Sequence, residues 1–94
     1  MIYELEFKES ALKEWNQLDK SIKELFKKKL AERLITPRIE SARLTGLPDC
    51  YKIKLRSVGY RLVYQVFDNL LVVTVIAVGK RENSLVYRKA KERL

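Results

Sequence analysis

The sequence predicts an α+β fold: an N-terminal strand and a helical hairpin pack on one face of a small, antiparallel-rich, four-stranded sheet, with a short C-terminal helix. Two observations support this prediction. Strand periodicity gives way to helical periodicity early in the chain, and residues 50–78 hold three apolar runs separated by turn sequences. With 94 residues, 47% of them hydrophobic, the chain can build one modest core, so we expect a single domain over residues 1–94.

The first strand is predicted at Ile2–Phe7, where apolar and polar residues alternate. Its buried face would hold Tyr3, Leu5 and Phe7. Ser10 can cap the helix that follows. That helix has three apolar residues at helical spacing: Leu12, Trp15 and Leu18.

A second helix is predicted from the capping-box pattern of Ser21 and Glu24. It should end near Thr36, because Pro37 disfavours helical backbone in the residue before it. Its apolar face would hold Ile22, Leu25, Phe26, Leu30 and Leu34.

The second half of the chain predicts three strands and a last helix. The strands are expected at Cys50–Leu55, Tyr60–Phe67 and Leu70–Val78. A four-residue turn after the first of them would place Lys54 opposite Arg61, and a two-residue turn after the second would place Phe67 opposite Leu70. Asn83 or Ser84 can cap the last helix, which runs to the C-terminus.

This register separates apolar from basic side chains, because successive residues of a strand face opposite sides of a sheet. The face that the helices should cover holds Tyr51, Ile53, Leu55, Leu62, Tyr64, Val66, Leu71, Val73, Val75 and Ala77. The other face holds Lys52, Lys54, Arg61, Val63, Gln65, Val72, Thr74 and Ile76. Like charges across a strand pair are destabilising, so we interpret the three cations as an anion site. The alternative is that they are exposed and screened, at a cost of a few tenths of a kcal/mol.

The net charge of +8 is concentrated in the second half of the chain. Residues 1–40 hold nine basic and eight acidic residues, whereas residues 41–94 hold eleven basic and four acidic ones. A surface this basic attracts polyanions, and nucleic acid is the commonest partner. No apolar run reaches the ~18 residues of a membrane span. Because the N-terminus also lacks the pattern of a signal peptide, and Cys50 is the single cysteine, we expect a cytoplasmic protein.

The composition restricts the chemistry that this chain could perform. It has no histidine and one cysteine, which argues against a histidine-based acid–base pair and a zinc cluster. Lysine, arginine and tyrosine suit cleavage of RNA by attack of the 2′-hydroxyl on its own phosphate, because clustered cations lower the pKa of a neighbouring lysine. These residues alone do not distinguish such an enzyme from an RNA-binding module.

Several segments, in order, resemble RelE toxins: PDCYKIKLRS from Pro48, GYRLVYQV from Gly59, VGKRE from Val78 with Ser84, Val86 and Tyr87 beyond it, and ALKEW from Ala11. The resemblance spans essentially the whole chain. It implies an α+β fold and cleavage of mRNA in the ribosomal A site without a metal or cofactor.

The resemblance also implies roles for individual residues. The catalytic set is Lys52, Lys54, Arg61, Arg81 and Tyr87. Lys54 would be the general base, Lys52 and Arg61 would stabilise the transition state, Arg81 would act on the leaving group, and Tyr87 would orient the nucleotide or stack on it. The expected RNA contacts are Arg56, Arg43 and Lys80. Thr45 departs from the pattern, since a close relative can have an arginine there, and this puts one RNA contact in doubt.

Two of these residues have purely structural alternatives, and two other functions are compatible with the sequence. Tyr87 could be a core tyrosine of the last helix, and Arg81 a solvated loop residue. The resemblance implies a RelB-like antitoxin, the 70S ribosome with its 16S rRNA and mRNA, operator DNA only through the antitoxin complex, and no membrane partner. The rivals are a ParE-like gyrase poison, against which the five catalytic matches argue, and a non-catalytic ribosomal RNA-binding module.

Overall fold

The computed structural model describes residues 2–82 and 84–94, and it confirms the predicted α+β class and order of elements. The elements are β1 (Glu4–Phe7), α1 (Glu9–Asn16), α2 (Lys20–Ile35), β2 (Cys50–Leu55), β3 (Tyr60–Phe67), β4 (Val72–Lys80) and α3 (Leu85–Arg93). A 3₁₀ turn, Glu40–Ala42, lies between α2 and β2. No helix within the described ranges is long and apolar enough to cross a membrane.

The four strands form one mixed sheet in the order β1-β4-β3-β2. β1 pairs with β4 in parallel, and the other two pairings are antiparallel. Lys54 lies opposite Arg61, as the sequence predicts. Phe67 lies opposite Val72 and not Leu70, because the second turn is longer than the predicted two residues. Leu71, expected on the helix-covered face, belongs to that turn and has a φ of 54°.

A β-bulge in β4 reverses the facing of the residues that follow it. Tyr64 pairs with Val75 but Val63 pairs with Ala77, so Ile76 is the extra residue. The prediction that Ala77 lies on the helix-covered face is therefore wrong. Ala77 packs with Ile76 on the opposite side, and Val78 packs under the helices.

The main core lies between the sheet and helices α1 and α2. Trp15 lies within it, with its ring centroid 5.3 Å from that of Phe7 and 6.1 Å from that of Phe26. The buried side chains are Ala11, Trp15, Ile22, Phe26, Leu30, Tyr51, Ile53, Leu55, Leu62, Tyr64, Val66, Val73, Val75 and Val78.

Some predicted core residues are at the surface. Leu12 and Leu25 are 42% and 43% exposed, because each helix buries a narrower stripe with i, i+4 spacing, such as Ala11 and Trp15. Leu5 is 36% exposed on β1, which forms one edge of the sheet.

The predicted caps of the first two helices are also wrong. Helices α1 and α2 begin one residue before the serines expected to cap them, after Lys8 and Asp19 with extended backbone, so Ser10 and Ser21 lie inside the helices. Ser84 precedes α3 with a φ of 62°, and its side chain makes no capping hydrogen bond to a described residue. The alternative cap, Asn83, lies outside the described residues.

A second, smaller core lies on the opposite face of the sheet. Helix α3 and the loop before β2 cover one part of that face, burying Leu47, Cys50, Val63, Ile76, Ala77, Val86 and Ala90. Towards the β2–β3 turn, the same face carries Lys52, Lys54 and Arg61. The fold therefore places α3 beside the basic end of the sheet.

Substitutions of the adjacent apolar residues Leu25 and Phe26 test which face of α2 is buried against the sheet. We expect Phe26→Ala to lower the free energy of unfolding by about 3–5 kcal/mol, because Phe26 is fully buried. Leu25→Ala, at a 43% exposed position, should change it by less than about 1 kcal/mol. Urea unfolding measures both values, and equal losses would mean that α2 packs in a different rotation.

Candidate active site

Six of the eight predicted site residues line one cleft of about 610 Å³ between the β2–β3 turn, the end of β4 and α3. Its described lining is Lys54, Arg56, Arg61, Lys80, Arg81, Glu82, Ser84, Leu85, Val86 and Tyr87. Five of these side chains are cationic and one, Glu82, is acidic. The cleft therefore has the charge and the dimensions to bind a phosphate group with part of a nucleotide.

The β2–β3 turn brings Arg81 to the other cations. Gly59 has a φ of 69°, a backbone conformation that glycine adopts without strain. Its carbonyl accepts a hydrogen bond of 2.7 Å from the backbone N–H of Arg81. This long-range bond fixes the segment after β4 against the turn, beside Lys54 and Arg61.

Gly79 allows α3 to approach the sheet at the same end. It lies opposite Arg61 in the β3–β4 pairing. A Cβ at this position would lie 3.6 Å from Cγ2 of Val86, so the helix packs directly over the glycine. Tyr87, the next residue of α3, is thereby held at the cleft.

Arg61 is an unusual cation because it is only 8% exposed. Its Nη1 donates a 2.9 Å hydrogen bond to the carbonyl of Tyr60, but it forms no ion pair with any of the carboxylates that the structure describes. A buried charge without a counter-ion is costly, and a bound anion would offset that cost.

The neighbouring cations lower the pKa of Lys54. The positive charge of Lys52 lowers its pKa most, followed by partial removal from water and the charges of Arg61 and Arg56. A lower pKa leaves more of the neutral amine at a given pH, and only the neutral amine can accept a proton.

The structure leaves two predicted residues outside the cleft. Lys52 lies on the same face of β2 as Lys54, two residues away, and its carbonyl accepts a 3.1 Å hydrogen bond from Arg33 Nη1. Arg43 lies in the loop before β2, where it forms an exposed ion pair of 3.2 Å with Glu40. It borders a separate hollow together with Thr45, so it is not part of the same site.

Tyr87 fits both the functional and the structural interpretation. It lines the cleft, and it also packs against the second core. Its hydroxyl is buried and has no hydrogen-bond partner within residues 2–82 and 84–94. A ligand would reach this oxygen only after a shift of the side chain or of α3.

Sequence reasoning missed Glu82, Ser84, Leu85 and Val86 as lining residues. Strand alternation carries no information about them, since they lie beyond the last strand. The only indication was the family resemblance, because Glu82 ends the motif VGKRE and Ser84 and Val86 follow it. The described residues also contain no cluster of three side chains that could hold a metal ion.

Comparison with known proteins relates the chain to toxins with two different names. Residues 5–85 match the family described as "ParE toxin of type II toxin-antitoxin system, parDE". The chain is 61% identical to the mRNA interferase toxin RelE of Escherichia coli K12 over 94 residues, which cover 100% of this chain and 99% of the relative.

Two solved structures of E. coli RelE are also similar to the chain. A variant with two arginine-to-alanine substitutions, in the free state, matches with a TM-score of 0.92 and 60% identity, covering 100% of this chain and 99% of that one. The same variant in complex with a peptide of the antitoxin RelB has a TM-score of 0.83 at the same identity and coverage.

The electrostatic origin of the Lys54 pKa can be measured without any substrate. We expect Lys52→Ala to raise the pKa of Lys54 towards its ordinary value, because it removes the largest of the charges that lower it. NMR titration of the lysine side chains measures this change. Arg56→Ala should raise the pKa less, and Lys28→Ala, at an exposed site on α2, should leave it unchanged. The same pKa of Lys54 in all three variants would contradict the explanation that neighbouring charges lower it.

Proposed function

This chain belongs to the ParE toxin family of type II toxin–antitoxin systems, and from that premise we propose that it is an mRNA interferase, a ribonuclease toxin that inhibits translation. One observation carries the proposal: Arg61, buried and without a described carboxylate partner, shares a cleft with Lys54 and Arg81. Such a site is suited to a phosphodiester, because every step of its cleavage develops negative charge on oxygen.

The reaction begins with proton transfer to Lys54. The neutral amine takes the proton of an RNA 2′-hydroxyl, and the 2′-oxygen attacks the adjacent phosphorus. A bond forms between the 2′-oxygen and phosphorus, and the bond from phosphorus to the 5′-oxygen breaks. Support for Lys54 as the base comes from the neighbouring cations that lower its pKa.

The other residues stabilise charge and position the nucleotide. Arg61, with Lys52 beside Lys54, offsets the charge of the pentacoordinate phosphorus. Arg81 stabilises the departing 5′-oxygen, which takes its proton from water. Tyr87 orients or stacks on the nucleotide, once its side chain has turned towards the cleft.

Three further cations would contact the RNA outside the reacting group. Arg56 and Lys80 line the cleft and would bind flanking phosphates. Arg43 would contact RNA at its separate position before β2. Thr45 lies beside it, and its short neutral side chain offers no charge at that point.

The proposed function requires a substrate complex on which the toxin acts and an antitoxin that inhibits it. We propose a RelB-like antitoxin for this chain, because E. coli RelE has been solved with a RelB peptide. It would cover the sheet or displace α3. The proposed substrate complex is mRNA in the A site of the 70S ribosome, with contacts to 16S rRNA, which places the toxin in the cytoplasm. Operator DNA would be bound only through the antitoxin complex.

A gyrase-poisoning toxin is the second candidate, since the matching family carries the ParE description. A gyrase poison needs no general base and no phosphate clamp. The lowered pKa of Lys54 and the buried Arg61 favour the nuclease, and cleavage of A-site mRNA separates the two functions.

The assigned roles predict which substitutions stop the chemistry. We expect Lys54→Ala and Arg81→Ala to reduce the single-turnover cleavage rate of A-site mRNA by about 10²–10⁴-fold, while the urea midpoint does not fall. Lys28→Ala also removes one exposed positive charge, and it should leave the chemical step unchanged. A similar rate loss in all three variants would indicate a diffuse electrostatic role.

Dependence on the ribosome is the second expectation. In-line positioning of the 2′-hydroxyl contributes on the order of 7–11 kcal/mol, and an open cleft on a small sheet cannot restrain free RNA to that extent. We expect negligible cleavage of free RNA and rapid cleavage of A-site mRNA. The ends should be a 2′,3′-cyclic or 3′-phosphate and a 5′-hydroxyl, unaffected by EDTA at levels that keep ribosomes intact. A 5′-phosphate end would show that the 2′-hydroxyl is not the nucleophile.

A further inference from the structure

The carboxylate of Glu14 connects α1, β4 and α3 through four hydrogen bonds. Arg93 of α3 binds it with two nitrogens, Nη1 to Oε1 at 2.8 Å and Nη2 to Oε2 at 3.1 Å. Lys89 Nζ lies 3.1 Å from Oε2, and the backbone N–H of Val78 donates to Oε1 at 3.2 Å. We call Glu14, Lys89 and Arg93 the clasp; none of the three lines the cleft.

The clasp binds β4 next to its bulge. Strand β1 pairs with β4 only as far as Val75, so the backbone groups beyond that point have no neighbouring strand on this side. The carbonyl of Ile76, the extra residue of the bulge, accepts a 2.9 Å hydrogen bond from Arg93 Nη1. The Glu14 carboxylate accepts a hydrogen bond from the N–H of Val78. The side chains of Arg93 and Glu14 therefore satisfy backbone groups around the bulge that would otherwise need a neighbouring strand.

Two of the three elements that the clasp joins, β4 and α3, lead directly into the cleft. The bulge determines which face of the sheet Gly79 takes and how the chain reaches Arg81. Helix α3 carries Tyr87. At nine residues it is too short to be stable alone, since isolated helices under about 12–15 residues are marginal in water. Its position therefore depends on its tertiary contacts.

We propose that Glu14 is a positioning residue for the cleft, acting through β4 and α3. This inference rests on the proposed nuclease function, which gives Arg81 and Tyr87 their roles. Glu14 itself touches no reacting group: it holds the C-terminal half of α3 and the bulge in one arrangement. The backbone carbonyl of Arg93 also accepts a hydrogen bond from Lys8 Nζ, which secures the same end of α3.

The burial of the clasp distinguishes it from the other ion pairs. The Glu14 and Arg93 side chains are 17% and 20% exposed, whereas those of Glu24 and Lys27 are both 60% exposed. Burial acts to raise the pKa of Glu14, but the hydrogen bonds from Arg93, Lys89 and the Val78 N–H together outweigh it and hold the pKa below its ordinary value. The carboxylate is therefore ionised at neutral pH, and the clasp is closed under the conditions of translation.

Glu14→Gln tests the proposal, because it removes the charge and keeps the shape. We expect amide hydrogen exchange over residues 85–93 to become at least about tenfold faster, since charge-assisted bonds to α3 are lost. Cleavage of A-site mRNA at saturating toxin should fall about 10- to 100-fold, because Tyr87 and Arg81 lose their alignment. The toxin concentration at half-maximal rate should change less than about twofold, since the RNA-facing cations remain. Glu24→Gln, which breaks an exposed ion pair on α2, is the matched control and should change none of these.

Variants at the other end of the clasp complete the test. Arg93→Gln should reproduce the effect of Glu14→Gln, and the double variant should be no worse than either single one. Arg93→Lys keeps one charge and should restore part of the rate. Should Glu14→Gln fail to fold, Lys89→Gln makes the same test with one bond removed.

Two results would overturn the proposal: faster exchange of α3 with an unchanged cleavage rate, or a lower rate with unchanged exchange of α3. Failure of the wild-type toxin to cleave A-site mRNA would instead reject the nuclease function, while hydrogen exchange would still decide whether Glu14 holds α3.

Discussion

The bulge in β4 is the constraint on which the rest of the site depends. Before the bulge, Val73 and Val75 face helices α1 and α2, and after it Val78 faces them. In a strand without the bulge, the odd-numbered residues would all face α1 and α2, and Gly79 would therefore lie on the face opposite α3. One extra residue therefore moves Gly79 to the face where α3 packs and places it opposite Arg61.

The sequence predicts the β2–β3 half of the site well and the β4–α3 half poorly, for a physical reason. Alternation in β2 and β3 distinguishes basic from apolar faces, so the pairing of Lys54 with Arg61 follows from the sequence alone. Strand β4 is apolar on both faces over most of its length, and such a run has no alternation from which a bulge could be detected. Arg81 and Tyr87 are accordingly identified only by resemblance to a family. Glu14 is one of several charged residues on α1, and its spacing gives no sign that it reaches α3.

The cleft is electrostatically unfavourable when it contains no anion. Lys54, Arg61 and Arg81 lie together, and the one acidic side chain among the described lining residues, Glu82, is exposed at its edge. Most of the cations are exposed and screened, so their mutual repulsion costs little. Arg61 is the exception, because its burial removes it from water. A phosphate group would reverse this balance, since it offsets the charge of Arg61 at the same position where a reaction on phosphorus develops further negative charge.

The two halves of the cleft differ in how firmly they are held. Lys54 and Arg61 project from paired edge and central strands whose opposite face is the main core, so their backbone moves only if the sheet moves. Tyr87 belongs to a short peripheral helix, and its hydroxyl is buried without a partner among residues 2–82 and 84–94. In the proposed complex, a nucleotide would supply a hydrogen bond to this hydroxyl. Under the proposed function, binding would therefore favour a rotation of the Tyr87 side chain on a helix that the clasp holds in place, which makes this side chain the adjustable part of the site.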